Sequence, residues 1–144
     1  MHAIISLPVL LDRELIRQGG ISNFEYSVMA RLSQAEHRQM RIGELAEHTG
    51  STMPRLSKAL TRCEREGWVA RRPDASNGRC TLAVLSDEGL AKVVECAAPH
   101  VAQVRRLIFD PLTPARARQF DAALSAISTA IKREFERDTA GVVD

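Results

Sequence analysis

No long apolar run is present in this chain. Its apolar runs, such as Ile4-Ile5 and Val9-Leu10-Leu11, fall far short of the roughly 20 residues that a membrane-spanning helix needs. Met1-His2-Ala3 lacks a basic stretch followed by an apolar stretch and a small-residue cleavage site, so no secretory signal is expected. Cysteine is scarce: three residues, with no CxxC pair, which excludes a disulfide framework and fits a reducing cytoplasm. The histidines, His2, His37, His48 and His100, match no metal-ligand spacing with the scattered acids, so no metal is expected. A Gly-rich phosphate loop, GxSxG, HExxH and a paired Cys/His or Ser/His arrangement are all missing, which excludes the familiar hydrolytic and phosphoryl-transfer chemistries and any cofactor tied to them. There is no internal repeat and no long linker. What remains is an ordinary globular composition, 44% apolar and 26% charged over 144 residues, enough for one domain with or without an oligomerisation arm.

The formal net charge of +2 conceals an uneven distribution. Residues 38–79 carry nine basic groups (Arg38, Arg41, Arg55, Lys58, Arg62, Arg65, Arg71, Arg72, Arg79) against five acidic ones, and the rest of the chain is slightly acidic. A local basic excess suits a polyanionic partner, although a solvated basic face would have the same composition.

Periodicity and punctuation divide the chain into helices around one β segment. A first helix is expected over about Leu7–Gln18, with Ser6 as its cap, Pro8 in its first turn and Gly19-Gly20 at its end. Ser22-Asn23-Phe24-Glu25 spells a capping box, and Phe24, Val28 and Leu32 give the following helix a buried stripe. A short helix over about Ile42–Thr49 ends at Gly50. The next is capped by Thr52, begins with Met53-Pro54 and turns Leu56, Leu60 and Cys63 inward until Gly67 stops it. Trp68–Arg72 and Arg79–Leu85 then read as two strands around a turn containing Asn77-Gly78. Ser86-Asp87-Glu88 restarts helix with a serine cap and two acids at its positive end. That helix carries Leu90, Val93, Val94, Ala97, Val101, Val104 and Ile108, with a kink expected at Pro99. Thr113-Pro114 opens a last helix with Phe120, Leu124, Ile127, Ile131 and Phe135 on one stripe.

The segment from Ile42 to Leu85 therefore reads as a winged helix-turn-helix. Ala46 is small where two helices cross closely, and Gly50 can take a left-handed turn. In the second helix Arg55, Lys58, Arg62 and Arg65 recur at spacings of 3, 4 and 3, opposite the Leu56/Leu60/Cys63 stripe. Such a division lets one face hold the helix to its domain while the other enters a major groove. Arg71, Arg72 and Arg79 on the wing are placed to reach flanking phosphates or the minor groove.

These residues resemble the MarR family of bacterial transcriptional regulators. The resemblance is carried by Ile42-Gly43-Glu44-Leu45-Ala46, by the run Leu56-Ser57-Lys58-Ala59-Leu60-Thr61-Arg62-Cys63-Glu64-Arg65-Glu66-Gly67-Trp68-Val69, and by the wing from Arg71 to Arg79. The exit Val84-Leu85-Ser86-Asp87-Glu88-Gly89 belongs to it too, and it extends over residues 6–135. The usual wing reads Asp-x-x-Asp-Arg-Arg. Here Asp74 and Arg79 remain, while Asn77 and Gly78 stand in place of the second acid and the first arginine, removing one charge pair. Cys63 occupies a position where the family usually has Leu or Met, and reads as a small core residue.

The resemblance implies a mainly α fold with a small β-hairpin wing: a winged helix-turn-helix plus a helical dimerisation domain. Residues 1–36 would contribute to dimerisation and a ligand crevice, 37–85 would bind DNA, and 86–144 would complete the dimer. It implies a cytoplasmic homodimer that reads a near-palindromic operator on double-stranded DNA, with half-sites about 34–36 Å apart, and most often represses. Arg55, Ser57 and Lys58 would meet base edges, Thr52 a phosphate at the helix N-terminus, and Arg62, Arg72 and Arg79 phosphates or the minor groove, with Asn77 in the wing beside them. Family members often bind a small anionic or phenolic effector that weakens DNA affinity. Arg13 and Arg17, one turn apart, are the candidates for its carboxylate, with Phe24, Tyr26 and His48 lining the crevice; surface or dimer-interface salt bridges are the weightier reading of the two arginines. Two other functions fit the pattern less well. One is a thiol switch at Cys80, beside the cation of Arg79. The other is a winged helix used only for protein contact.

Overall fold

The computed structural model describes residues 2–140. Residues up to Gln103 form one compact unit, and residues from Val104, the last of α5, onward form a second. In chain order the elements of the first unit are α1 (His2–Gly19), α2 (Asn23–Gln34), a 3-10 turn (Glu36–Arg38), β1 (Gln39–Arg41), α3 (Ile42–His48), α4 (Met53–Arg65), β2 (Val69–Asp74), β3 (Asn77–Leu85) and α5 (Asp87–Val104). In the second unit a single π-helical turn (Arg105–Phe109) precedes α6 (Pro114–Ala140). The protein is mainly helical with a small antiparallel sheet, as expected, and α3, α4 and the sheet have the winged helix-turn-helix order.

The local signals that hold are those with a hydrogen bond behind them. At the start of α2 the Ser22 hydroxyl accepts from the Glu25 amide at 3.1 Å, and the Glu25 carboxylate accepts from the Ser22 amide at 2.8 Å. Gly20, Gly50 and Gly67 all have positive φ, and each follows a helix that stops there or just before. Ser86 caps α5, its Oγ accepting from the Gly89 amide at 2.9 Å. Apolar side chains from α2 (Val28, Met29, Leu32), α3 (Leu45), α4 (Leu56, Leu60, Cys63) and the sheet (Val69, Ala83, Leu85) meet in one buried cluster. Each buried valine, leucine or methionine of this cluster contributes about 1.5–3 kcal/mol by leaving water.

Five local expectations are corrected. First, α1 begins at His2, so Ser6 lies inside it; its hydroxyl sits 3.1 Å from His2 Nε2 instead of capping. Pro8 is likewise interior, where its fixed φ remains helical and one backbone donor is lost. Second, the wing turn is not at Asn77-Gly78. Asp74 pairs with Asn77 across a two-residue Ala75-Ser76 loop, and neither Asn77 nor Gly78 has positive φ. The Asp74 carboxylate accepts from the Ser76 amide at 2.9 Å and its hydroxyl at 2.7 Å, fixing the turn by side chain rather than by glycine.

Third, the wing is not a hairpin alone. Met40 pairs with Ala83 and Arg41 with Leu82, so the sheet order is β1-β3-β2. This leaves β2 on an edge, where Pro73 costs no ladder bond to a further strand. Fourth, Thr52 stands at the N-cap position of α4 but its side chain makes no cap hydrogen bond. Fifth, the regular helix expected through Ile108 gives way after Val104, where Asp110 N donates to Arg105 O at 2.9 Å, five residues back.

On α6 the stripe Phe120, Leu124, Ile127 and Ile131 is exposed in the single chain, as are Ile5, Val9, Leu10 and Ile16 on α1. Phe135, the fifth residue of the α6 stripe, lies outside the described side chains.

Candidate nucleic-acid interface

Helix α4 is strongly two-faced. Leu56, Leu60 and Cys63 are fully buried, whereas Arg55, Ser57, Lys58 and Arg65 are exposed. Burial pushes the Cys63 thiol up to about 12, with the Glu25 carboxylate adding to the effect, so it stays a protonated core side chain. Lys58 has no ion-pair or hydrogen-bond partner among the described residues. The Arg55 guanidinium lies 4.2 Å above the Phe24 ring, a cation–π contact that steadies an otherwise free side chain on the DNA-free surface. Arg65 is only loosely held by Glu66, at 3.6 Å.

Arg62 shares the cationic flank of α4, but its guanidinium is committed to partners within the protein. Its Nη1 donates to Glu25 at 2.5 Å and its Nη2 to the Gly20 carbonyl at 2.6 Å. Glu25 is buried and also serves the capping box of α2, so one carboxylate ties the α2 start to α4. The sequence holds no local cue for this clamp, because its partners are 37 residues apart.

The wing divides its arginines in the same way. Arg71 is turned onto α4: it donates to the Ser57 carbonyl at 2.8 Å and to Thr61 Oγ1 at 3.2 Å, and pairs with Glu64 at 3.1 Å. Arg72 and Arg79 are exposed and their side chains have no partner among the described residues. Asn77 Oδ1 accepts from the Arg79 amide at 3.2 Å, so Asn77 shapes the strand end that carries Arg79. Between α3 and β3 an open groove of about 540 Å³ is bordered by Arg41, Glu44, Met53, Arg79 and Thr81. Cys80 borders it too and is half-buried. The exposed cations Arg55, Lys58, Arg72 and Arg79 thus lie on α4 and the wing, and Thr52, also exposed, lies at the start of α4.

The wing is held to the sheet by Arg41, whose Nε donates to Asp74 at 2.7 Å. Hydrogen bonds from Ser76 and then from Arg41 hold the Asp74 carboxyl down at about 2, against an ordinary 3.8. A carboxyl depressed by folding stabilises the folded state above its unfolded value, and that contribution disappears as the pH falls from about 4 to about 2. Asp74→Asn should therefore be less stable than the parent at pH 7, and the difference should close below pH 4. Chemical denaturation across that pH range checks it; a gap independent of pH would mean that Asp74 acts through shape alone.

The five side chains expected to line an effector crevice are distributed over separate contacts. Arg17 pairs with Glu14 at 2.6 Å, Phe24 lies under Arg55, and Tyr26 packs on His100 with ring centroids 4.7 Å apart. His48 Nδ1 is 3.1 Å from Arg31 Nη2, and Arg13 is exposed. No hydrogen bond, ion pair or ring contact among the described residues joins any two of the five. No cluster of three or more potential metal ligands occurs among the described residues, and no helix among them is long and apolar enough to cross a membrane.

The family model described as MarR family matches residues 21–81. Among solved structures, Sco3205 from Streptomyces coelicolor, a MarR family transcriptional regulator in complex with DNA, is 33% identical with a TM-score of 0.87; the match covers 90% of this chain and 81% of that one. AbsC, a MarR family transcriptional regulator from the same organism, is 32% identical with a TM-score of 0.85, over 91% of this chain and 88% of its own. BpsR from Bordetella bronchiseptica, whose DNA binding is regulated by 6-hydroxynicotinic acid, shares the fold at 18% identity and a TM-score of 0.76, over 86% of each chain. None of the curated proteins compared with this chain matches it.

Proposed function

The chain belongs to the MarR family of transcriptional regulators, and from that premise we propose that it is a cytoplasmic, homodimeric repressor that reads a near-palindromic operator and releases it on binding a small molecule. The observation that carries the DNA-binding part is the division of α4. One face is buried in the core, and the other presents Arg55 and Lys58 to solvent, while the wing exposes Arg72 and Arg79. Arg55, Ser57 and Lys58 read base edges in the major groove. Thr52, Arg72 and Arg79 hold phosphates or line the minor groove, with Asn77 shaping the wing end. Arg62 acts one step back, holding α4 to α2 through Glu25.

Residues 37–85 are the DNA-binding domain, and 1–36 with 86–144 build the dimer. The exposed apolar residues of α1 and the exposed stripe of α6 support that division, since such surfaces are unfavourable in water without a partner. Two copies related by a dyad would place two α4 helices in successive major grooves. Release by a small molecule follows from the same architecture, because a ligand that favours one spacing of the two reading helices weakens their joint fit to DNA.

A salt titration on the DNA upstream of the protein's own gene, with a scrambled duplex as control, tests this reading. Log K should fall linearly with log salt and the upstream DNA should be preferred. Arg79→Ala should weaken binding to both duplexes alike and flatten the slope by about one unit. Equal, weak binding to both duplexes would instead make the basic face of residues 38–79 a protein-docking surface.

A further inference from the structure

We propose that Phe24, at the start of α2, is a specificity-determining positioning residue: its ring holds the Arg55 guanidinium in place for reading a base edge. The inference rests on the regulator reading and deepens it, because the role matters only where α4 reads DNA.

The two partners of the contact are unequally held. Phe24 is half-buried and packs against the core cluster. Its neighbours in the chain are bonded on both sides. The Asn23 amide donates to Asp12 of α1 at 2.8 Å, and the Glu25 carboxylate accepts from the Ser22 amide at 2.8 Å. Arg55 is exposed and makes no hydrogen bond or ion pair among the described residues. Its Cζ stands 4.2 Å from the ring centroid, inside the roughly 6 Å within which a cation is drawn to a ring face. The ring is the fixed member and the arginine the movable one, so it is Phe24 that places Arg55.

Consecutive residues of α2 treat two arginines of α4 in different ways. Glu25 and the nearby Gly20 carbonyl take both Nη atoms of Arg62, which occupies its hydrogen-bonding fork. Phe24 takes only the charge of Arg55 and occupies no donor with an oxygen or nitrogen acceptor. The fork that fits guanine O6 and N7 therefore stays available in a side chain that is already placed. An arginine that meets a base from free solution gives up rotamer freedom, and one already resting on a ring has given up part of it beforehand. The contact also ties down the first turn of α4, where Thr52 makes no cap hydrogen bond.

Binding of the full-length protein to its operator and to operators changed at one base pair tests the role, measured well below every melting midpoint. Phe24→Leu keeps an apolar side chain and removes the ring face. It should lower discrimination about threefold or more at the base pair where Arg55→Ala loses it, and change binding to scrambled DNA far less. Phe24→Tyr keeps the ring face and should keep the discrimination of the parent. Once Arg55 is alanine, Phe24→Leu should cost no further discrimination. A loss of packing alone would instead weaken binding to every duplex and persist in the Arg55→Ala background. Should Phe24→Leu fail to fold, Phe24→Met carries the same comparison. Unchanged discrimination in Phe24→Leu or in Arg55→Ala, an equal loss in Phe24→Tyr, or a further loss in the double variant would overturn the proposal. A parent that binds operator and scrambled DNA alike overturns the regulator reading itself, whereas a discriminating parent with an indifferent Phe24→Leu overturns only the role of Phe24.

Discussion

A Gly89→Ala variant is expected to lose about 3 kcal/mol of stability and to melt roughly 10 °C below the parent. Gly89 is buried in the first turn of α5, and an added Cβ would overlap the Trp68 carbonyl oxygen and lie 2.7 Å from Leu85 Cδ1. A flexible side chain would move aside, but the carbonyl is fixed. It accepts from the Ser86 amide at 3.0 Å and from the Ser86 hydroxyl at 3.0 Å, while the Trp68 amide donates to the Cys63 carbonyl at 2.9 Å. The methyl would therefore push apart the end of α4, the start of β2 and the start of α5 together. This explains the Leu85-Ser86-Asp87-Glu88-Gly89 motif physically: the serine caps the helix, and the glycine lets the helix approach the backbone it is capped against. Thermal melts followed by helical circular dichroism measure the effect. A midpoint within about 2 °C of the parent would show that the junction yields.

Arg55→Ala should remove roughly 1–3 kcal/mol of discrimination between the operator and an operator changed at one base pair, while binding to unrelated DNA falls far less. Arg55 is exposed, stands in the first turn of α4 and lies over the Phe24 ring, so its loss leaves the core intact. The contrast with Arg62→Ala is informative. Removing Arg62 leaves the buried Glu25 carboxylate without its guanidinium partner, so that variant should lose stability first and affinity for every DNA sequence with it. Competition binding with single-substituted duplexes, run beside melting curves, distinguishes them. Unchanged sequence preference in Arg55→Ala would place the reading face elsewhere on α4.

The two arginines also show how far a local pattern reaches. Arg55, Lys58, Arg62 and Arg65 are equivalent by helical spacing, and the spacing does place them on one side of α4. Which guanidinium faces solvent depends on Glu25, and the position of Glu25 relative to α4 is a property of the packed core. The wing repeats the lesson: Arg71 and Arg72 are neighbours in sequence, but one lies along α4 on Ser57, Thr61 and Glu64 and the other faces solvent. Alternation along a strand foretells opposite faces, but not which face meets a helix.

By itself the sequence determined the features that act within about four residues: the Ser22–Glu25 capping box, the Ser86 cap, the helix stops at Gly50 and Gly67, and the inward stripe of α4. Each is a hydrogen bond, a φ preference or a helical period, and needs no partner distant in the chain. Only the tertiary structure decided the third strand, since Gln39–Arg41 is too short to show a pattern and exists because β3 offers it an edge. The turn moved to Ala75-Ser76 because the Asp74 carboxylate, held by Arg41, outweighed the glycine preference of Asn77-Gly78. Tertiary packing alone also brought Phe24 under Arg55 and Glu25 to Arg62, because contacts between residues so distant in the chain are a consequence of how helices meet and leave no trace in local spacing.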